Sequence, residues 1–302
     1  MKRMEALDKY EKKYRSKRII VTGSSGYIGR ELSNLLSLAG VQVIGIDKNP
    51  SNATITEYGF NLTDIDKTRK LIQEVDPQIL FHTGTNSALH YFNDFMKAFD
   101  EDYRALSNIL NTVNGMKVRL VFFSSSYVYS GKYESVLEDV ALSPVHNFGV
   151  GKIFFEQAIT RSLANSTVFR LSSVFGSGQP RSPNALKTLK DEAEKHGSIS
   201  IWGDGSRRMQ YVFLDDVLSA TLGSEEIPYG IYNLGGDEYM NMMDVSAMIG
   251  QILGCRVSFD RSKAAGETLP FMINSKLCQE AAFEFTSIEK SLETYLLDKK
   301  LS

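Results

Sequence analysis

The stretch from Arg18 to Gly40 constrains the fold more than any other part of the chain. A short β-branched run, Arg18–Thr22 (RIIVT), leads into Thr22-Gly23-Ser24-Ser25-Gly26-Tyr27-Ile28-Gly29, and an amphipathic run then continues to about Leu38, closed by Gly40. Strand, glycine turn and helix in that order carry a specific physical meaning. Gly23 permits the tight turn, Gly26 lets backbone come close to a pyrophosphate, and Gly29 lets the helix pack against the strand. The helix start offers free N–H groups and a partial positive charge to phosphates. Ser25, Tyr27 and Ile28 sit in the turn or the first helical turn and are candidate contacts. Asp47 ends the next apolar run, Val41–Ile46, 24 residues beyond Gly23. A carboxylate there accepts hydrogen bonds from both adenosine ribose hydroxyls and repels a 2′-phosphate, so NAD is expected over NADP. The cation Lys48 beside it weakens that preference.

Strand and helix patterns alternate beyond this point. A weaker strand is expected at Ile55–Phe60, a helix over Asp64–Val75 ended by Asp76-Pro77, and a strand at Ile79–His82. A long helix over about Asn93–Asn114, a strand over Arg119–Ser124, a helix over Phe148–Ser162 and a strand over Thr167–Leu171 follow. Repeated units with apolar strands imply an α/β fold: a doubly wound (Rossmann) parallel sheet with helices on both faces. Past Phe175 the pattern loosens around GSGQPRSPNA. Strands are expected at Ile199–Trp202, Tyr211–Leu214 and Ile231–Leu234, and a helix over Met243–Leu253. The expected organisation is a charged N-terminal extension (1–17), a nucleotide domain (18–175, with returning segments at about 210–255) and a smaller, interleaved C-terminal α/β substrate domain (176–302). In the extension Met4, Leu7, Tyr10 and Tyr14 recur at helical spacing. A short helix is expected there, solvated rather than packed on the core or a second subunit. In Asn61-Leu62-Thr63-Asp64, Asn61 and Leu62 are candidate adenine contacts, while Asp64 either joins them or caps the next helix.

Composition excludes several classes. The 302 residues are 42% hydrophobic with a net charge of −2, so no global field recruits nucleic acid. No apolar run approaches ~18–20 residues, and no secretory signal opens the chain, so no membrane partner is expected. Cys255 and Cys278 have no metal-type spacing and read as reduced thiols of a cytoplasmic protein; His82, His90, His146 and His196 are scattered, so no metal site is expected. Trp202 is expected in the core. Asp215-Asp216, read as strand residues pointing to opposite faces, are expected to be one structural and one exposed.

Together, TGxxGxxG, the acid after the second strand and the Asn61–Asp64 segment resemble the extended short-chain dehydrogenase/reductase family, the NAD-dependent nucleotide-sugar epimerases, dehydratases and reductases. The resemblance runs from about Arg18 to at least Asn274. Asp76–His82 resembles the strand that leads to a His-Leu-Ala-Ala segment beside the cofactor, here His82-Thr83-Gly84-Thr85. Phe122–Tyr129 (FFSSSYVY) resembles the strand end carrying the catalytic hydroxyl, which falls on Ser125, with Ser126 next to it. Arg170–Gly176 (RLSSVFG) resembles a substrate-side segment, with Ser173 where the family has Asn. Gly203–Val217 resembles the segment that places an arginine near the substrate diphosphate; that slot holds Met209, preceded by Arg207 and Arg208. The resemblance implies a nucleotide diphosphate sugar bound over the nicotinamide, and a homodimer built on the long helix and the helix of the Tyr-x-x-x-Lys motif.

That motif is altered. Lys152 is present, and Phe148 stands at the tyrosine position. In the family the phenol moves a proton on or off the sugar oxygen, the lysine lowers its pKa and binds the nicotinamide ribose, and the serine orients the same oxygen. Phenylalanine keeps the shape and removes the proton-carrying atom. Three accounts stand: an engineered Tyr→Phe variant, a natural member using another acid/base (Tyr127, Tyr129, Tyr133 or His146), or a non-catalytic NAD- or sugar-binding relative. Ser126-Tyr127 follow Ser125 where dehydratases have Asp-Glu, which disfavours 4,6-dehydration. The expected activity is NAD-dependent epimerisation or a related redox step at C4, with reduction, decarboxylation and binding alone as alternatives.

Overall fold

A computed structural model describes residues 2–132, 134–178, 180 and 184–298. Met1 and 299–302, at the ends of the expected segments, lie outside the described residues, as do Gln179 and 181–183 of the Gly/Pro-rich stretch. The first half runs α1 (Lys2–Tyr14), β1 (Arg18–Thr22), α2 (Tyr27–Leu38), β2 (Gln42–Asp47), β3 (Thr56–Gly59), α3 (Ile65–Val75), β4 (Ile79–His82), α4 (Ala88–Asn93), α5 (Phe95–Val113), β5 (Arg119–Ser125), α6 (Asn147–Ser162) and β6 (Ser166–Leu171). There follow β7 (Ser173–Phe175), α7 (Ala185–His196), β8 (Ser198–Trp202), β9 (Arg208–Phe213), α8 (Leu214–Leu222), β10 (Gly230–Leu234), β11 (Tyr239–Asn241), α9 (Met242–Leu253), β12 (Arg256–Asp260), α10 (Ser275–Ala281) and α11 (Ile288–Leu297).

The main sheet has seven strands in the order β3-β2-β1-β4-β5-β6-β10, all parallel. Alternate residues of its strands feed two separate cores. Ile19, Val21, Ile79, Phe81, Val121 and Phe123 point to the face covered by α1, α2 and α8. Ile20, Leu80, Leu120 and Phe122 point to the face covered by α3, α5 and α6. Both faces being covered explains why these strands read as continuous apolar runs. Smaller sheets β11-β9-β7 and β12-β8 gather a third core with α7, α9 and α11. This is a doubly wound α/β fold with smaller C-terminal sheets. No helix of the described residues is long and apolar enough to cross a membrane.

Two helix boundaries follow directly from local chemistry. The Asp64 carboxylate accepts from the Lys67 N–H and caps α3, and Asp76 ends that helix in a left-handed conformation ahead of Pro77. Asp94 caps α5, so the expected long helix is preceded by the separate short α4.

Three expectations are corrected. Residues 2–14 are not a solvated extension. Ala6, Leu7, Tyr10 and Tyr14 are buried in the main core, and the Tyr14 hydroxyl donates to the Leu222 carbonyl at 2.7 Å. Asp215 and Asp216 lie in the first turn of α8, and both are buried. There the helix start favours negative charge, and α1 supplies the partners: Arg3 Nε is 3.1 Å from Asp215, and Lys2 Nζ is 2.7 Å from Asp216. Asp216 also accepts from the Thr286 N–H and hydroxyl. Finally, Trp202 is 59% exposed. Along β8, Ile199 and Ile201 take the inward face, so the period of two sends Trp202 outward, where Lys263 Nζ sits 4.9 Å from its ring.

Truncating Tyr14 to Ala is expected to lower the unfolding free energy by about 3–5 kcal/mol, as for other large buried aromatics. Tyr14→Phe, which loses only the hydroxyl donor, is expected to cost about 1 kcal/mol. Urea unfolding followed by circular dichroism reads both; an unchanged midpoint for Tyr14→Ala would show that α1 is not part of the cooperative unit.

Candidate functional site

Strand order reverses between β1 and β4, the place where open α/β sheets form a crevice at their C-terminal edge. A cavity of about 1240 Å³ lies there. Its shape begins with backbone. Gly23 has φ +69°, and a Cβ on it would lie 2.6 Å from Gly84 Cα; a Cβ on Gly29 would lie 2.2 Å from the Gly23 carbonyl. The chain can pass from β1 into α2 at this distance only because those side chains are absent. Gly26 is the N-cap and offers no side chain to close the first-turn amides, and no acid occupies the first turn. Gly26, Tyr27 and Ile28 line the cavity.

Asp47 lines the same end. Its buried carboxylate accepts from the Ser25 N–H at 3.3 Å and the Asn49 N–H at 2.8 Å. Lys48 is bound to Glu101 at 3.0 Å. Asn61 and Leu62 line the cavity next to them, with the Asn61 amide donating to Glu101 at 2.9 Å.

At the other end stand Ser125, Phe148 and Lys152. Ser125 ends β5, and its hydroxyl accepts from the Tyr127 N–H as the chain turns into a 3-10 helix. Lys152 is buried on α6 and donates from Nζ to the Thr85 hydroxyl and the Phe123 carbonyl, both at 3.0 Å. Phe148, one turn earlier, meets Tyr91 edge-on at 5.3 Å, and Lys152 Nζ lies 5.4 Å from its ring centre. Burial pushes the Lys152 ammonium down to about 8, against the charges of Asp102 and Glu156, which favour the proton. Asp102 is buried on α5 and accepts from the Asn86 N–H at 3.0 Å and the Tyr91 hydroxyl at 2.9 Å. Burial raises its pKa, opposed by the Lys152 charge and these hydrogen bonds.

Beneath this end runs a dry ionic layer. Arg170 on β6 reaches Glu156 of α6 through Nε at 3.0 Å and a terminal nitrogen at 2.7 Å, and both side chains are buried. The same arginine donates to the Tyr129 hydroxyl at 2.6 Å, which in turn donates to Asn233.

Six of the expected site residues stand off the cavity lining. Gly29 acts in the helix–strand contact. His82 is buried below the floor, 2.7 Å from the Thr22 hydroxyl, and burial with the nearby Lys152 charge pushes its imidazole down to about 3, so it is neutral. Ser126 is buried in the 3-10 turn, and Ser172 rather than Ser173 faces the cavity. Arg207 donates to the Glu267 carbonyl; Arg208 stacks on Tyr239 and donates to its carbonyl. Of the alternative proton carriers, Tyr127, Tyr129 and His146 are also absent from the lining, and Tyr133 lies outside the described residues. Asp102, Glu101, Asn86 and Ser51 line the cavity without having been singled out in the sequence. A signal existed for Asp102: it falls in the apolar stripe of α5 between Ala98 and Ala105.

Lys152 is expected to titrate near pH 8 in NMR of isotopically labelled lysine. Because the folded pKa lies below the ordinary 10.5, the unfolded chain binds more protons between those values, and this group's contribution to stability rises with pH across that window. Asp102→Asn removes a charge that favours the proton and is expected to lower the titration midpoint further; an unmoved midpoint would show that the two groups do not interact.

Residues 19–235 match the NAD dependent epimerase/dehydratase family. The uncharacterized protein y4nG of Sinorhizobium fredii is 25% identical over 242 residues, 77% of this chain; the match spans only 60% of that relative's length. The uncharacterized UDP-glucose epimerase YtcB of Bacillus subtilis is 28% identical over 279 residues, covering 83% of this chain and 87% of the relative. The structure of UDP-glucose 4-epimerase from Thermotoga maritima with UDP-glucose is similar in fold, with a TM-score of 0.83 at 19% identity over 92% of this chain and 97% of that one. With its family match running over most of the sequence, from β1 to the end of β10, this chain belongs to the NAD-dependent epimerase/dehydratase family.

Proposed function

We propose that the cavity holds NAD together with a nucleotide diphosphate sugar, and that the chain is an epimerase, or a related oxidoreductase, acting at C4 of that sugar. The observation that carries this reading is one continuous cavity with the glycine turn and Asp47 at one end and Ser125, Phe148 and Lys152 at the other. The residues present fit the dinucleotide. The uncapped start of α2 suits a pyrophosphate, Asp47 a ribose diol, and Asn61 and Leu62 an adenine edge. Bound there, NAD supplies a hydride acceptor and donor. Lys152 Nζ, already donating to Thr85, is placed to donate to a ribose hydroxyl as well. Ser125 orients the sugar oxygen. Asp47 rejects NADP and so favours a retained cofactor that takes a hydride and returns it, which suits epimerisation better than reduction.

Phe148 sets the limit on this chemistry. It occupies the position from which a phenol would exchange a proton with the sugar oxygen, and its ring has no such atom. One specific observation favours a second reading, binding without turnover: Tyr127, Tyr129 and His146 do not line the cavity, and Tyr129 is tied into the Arg170 layer.

We also propose a homodimer through α5 and α6. Their outward faces expose Met96, Tyr103, Val150 and Phe154, with Phe154 packed edge-on against Phe99 and Tyr103. An apolar patch of this kind on a charged surface marks an interaction site.

Phe148→Tyr is expected to raise C4 turnover of UDP-sugars by about 10²–10⁴, the usual worth of a positioned acid/base. A chromatographic assay of sugar epimers reads it; NAD bound with no rise in turnover would favour binding alone. Phe154→Glu is expected to halve the mass seen by light scattering towards the 33.8 kDa of one chain, and a mass independent of this change would exclude the α5–α6 dimer.

A further inference from the structure

At the adenosine end, a second carboxylate sits behind Ser25. Glu57, on the edge strand β3, accepts from the Ser25 hydroxyl at 2.8 and 3.0 Å, from the Ser51 and Asn52 N–H groups at 2.8 Å each, and from the Ser24 hydroxyl. Two hydroxyls and two backbone amides therefore converge on one anion. A cation stands beside them: Arg30 of α2 donates to the Ser51 carbonyl at 3.1 Å and to its hydroxyl. Burial works to raise the Glu57 pKa, but the hydrogen bonds from Ser24, Asn52, Ser25 and Ser51 outweigh it and hold the carboxyl below its ordinary value.

The place matters as much as the donors. Ser25 and Ser51 both line the cavity, and the Ser25 N–H donates to Asp47, the ribose acceptor in the reading above. Hydroxyls, amides and an arginine next to a ribose are the donor set that a 2′-phosphate would use. In this chain the hydroxyls and amides are already filled by its own carboxylate, while the arginine is turned onto Ser51.

We propose that Glu57 is an internal plug in a 2′-phosphate site, a residue that determines the choice of dinucleotide by occupying the donors and adding a second negative charge beside Asp47. This rests on the reading that the cavity binds a dinucleotide. Asp47 rejects the 2′-phosphate by its own charge from the ribose side. Glu57 denies it a landing place on the loop side, so each carboxylate contributes separately. A plain structural clasp for the loop 48–55 would hold the loop equally for either cofactor.

The test is calorimetric titration of the purified chain, of Glu57→Ala and of Glu57→Gln with NAD and with NADP. The readout is the ratio of the two affinities, with no turnover needed. Glu57→Ala frees the donors and removes the charge, and is expected to shift the ratio towards NADP by about tenfold or more. Glu57→Gln keeps the side chain's bulk, removes the charge and keeps one acceptor oxygen, so it frees fewer donors and is expected to shift the ratio in the same direction by less. It also carries the test if the alanine variant melts before it can be titrated. Variants that bind both cofactors more weakly but in an unchanged ratio would overturn the plug and leave a clasp. A wild-type chain that takes up neither dinucleotide would overturn the functional reading itself, a result distinct from NAD binding with unmoved selectivity.

Discussion

The contact among Gly23, Gly84 and Gly29 is the constraint on which the site depends. Backbone meets backbone at distances that any side chain would forbid, and this draws the start of α2 against the C-terminal ends of β1 and β4. With α2 held there, its uncapped first turn faces the crevice at the strand-order reversal. The two ends of the cavity then fall at the ends of β2 and β5. A Cβ at Gly29 could be accommodated only by moving the helix away from the strand, and the glycine-turn end of the cavity would move with it.

Charge is handled differently at the two ends. Near Ser125 and Lys152 it is buried: Arg170 and Glu156 form a two-point pair below the floor, while Lys152 and Asp102 share the cavity wall. Pairs of this kind add little to net stability because desolvation offsets their attraction, but losing one partner strands the other in a dry environment. Their worth lies in geometry. They hold α6 against β5 and β6, and so fix the position of Lys152 relative to Ser125. At the glycine-turn end, Asp47, Glu57 and Arg30 are each tied by hydrogen bonds to loop backbone, and Lys48 to Glu101 of α5, which shapes the pocket rim instead of its floor.

The sheet, its flanking helices and most of the residues that line the glycine-turn end of the cavity could be read from the sequence because they depend on local pattern. A glycine turn between strand and helix, an acid at a strand end and a period of two in the strands are all short-range signals. Lys152 and Phe148 were legible through the resemblance of their segment to the Tyr-x-x-x-Lys motif, and one helix does bring both to the cavity. What escaped depends on distant partners. Nothing near Asp215-Asp216 reveals that Lys2 and Arg3 neutralise them, and nothing in the first 17 residues reveals that Tyr14 has a carbonyl waiting at Leu222. Trp202 was misplaced by weighing residue type above the alternation of its own strand, where Ile199 and Ile201 already held the inward face. Arg207 and Arg208 were taken from a segment resembling one that places an arginine near a diphosphate; in the fold they serve the loop at Glu267 and the ring of Tyr239. Glu57 was hidden for a related reason: its four donors come from two loops that only the folded sheet brings together.

The docking of α1 has a consequence for how the chain is made. Tyr14 and Leu222 are 208 residues apart, so although α1 meets α2 early through Arg3 and Glu31, the α8 side of its seat exists only once about two-thirds more of the described chain has followed. Contacts of such sequence separation form late, since the intervening loop must close first. The long closure to α8 therefore falls to the later part of folding, whereas the contacts of α1 with α2 span few residues.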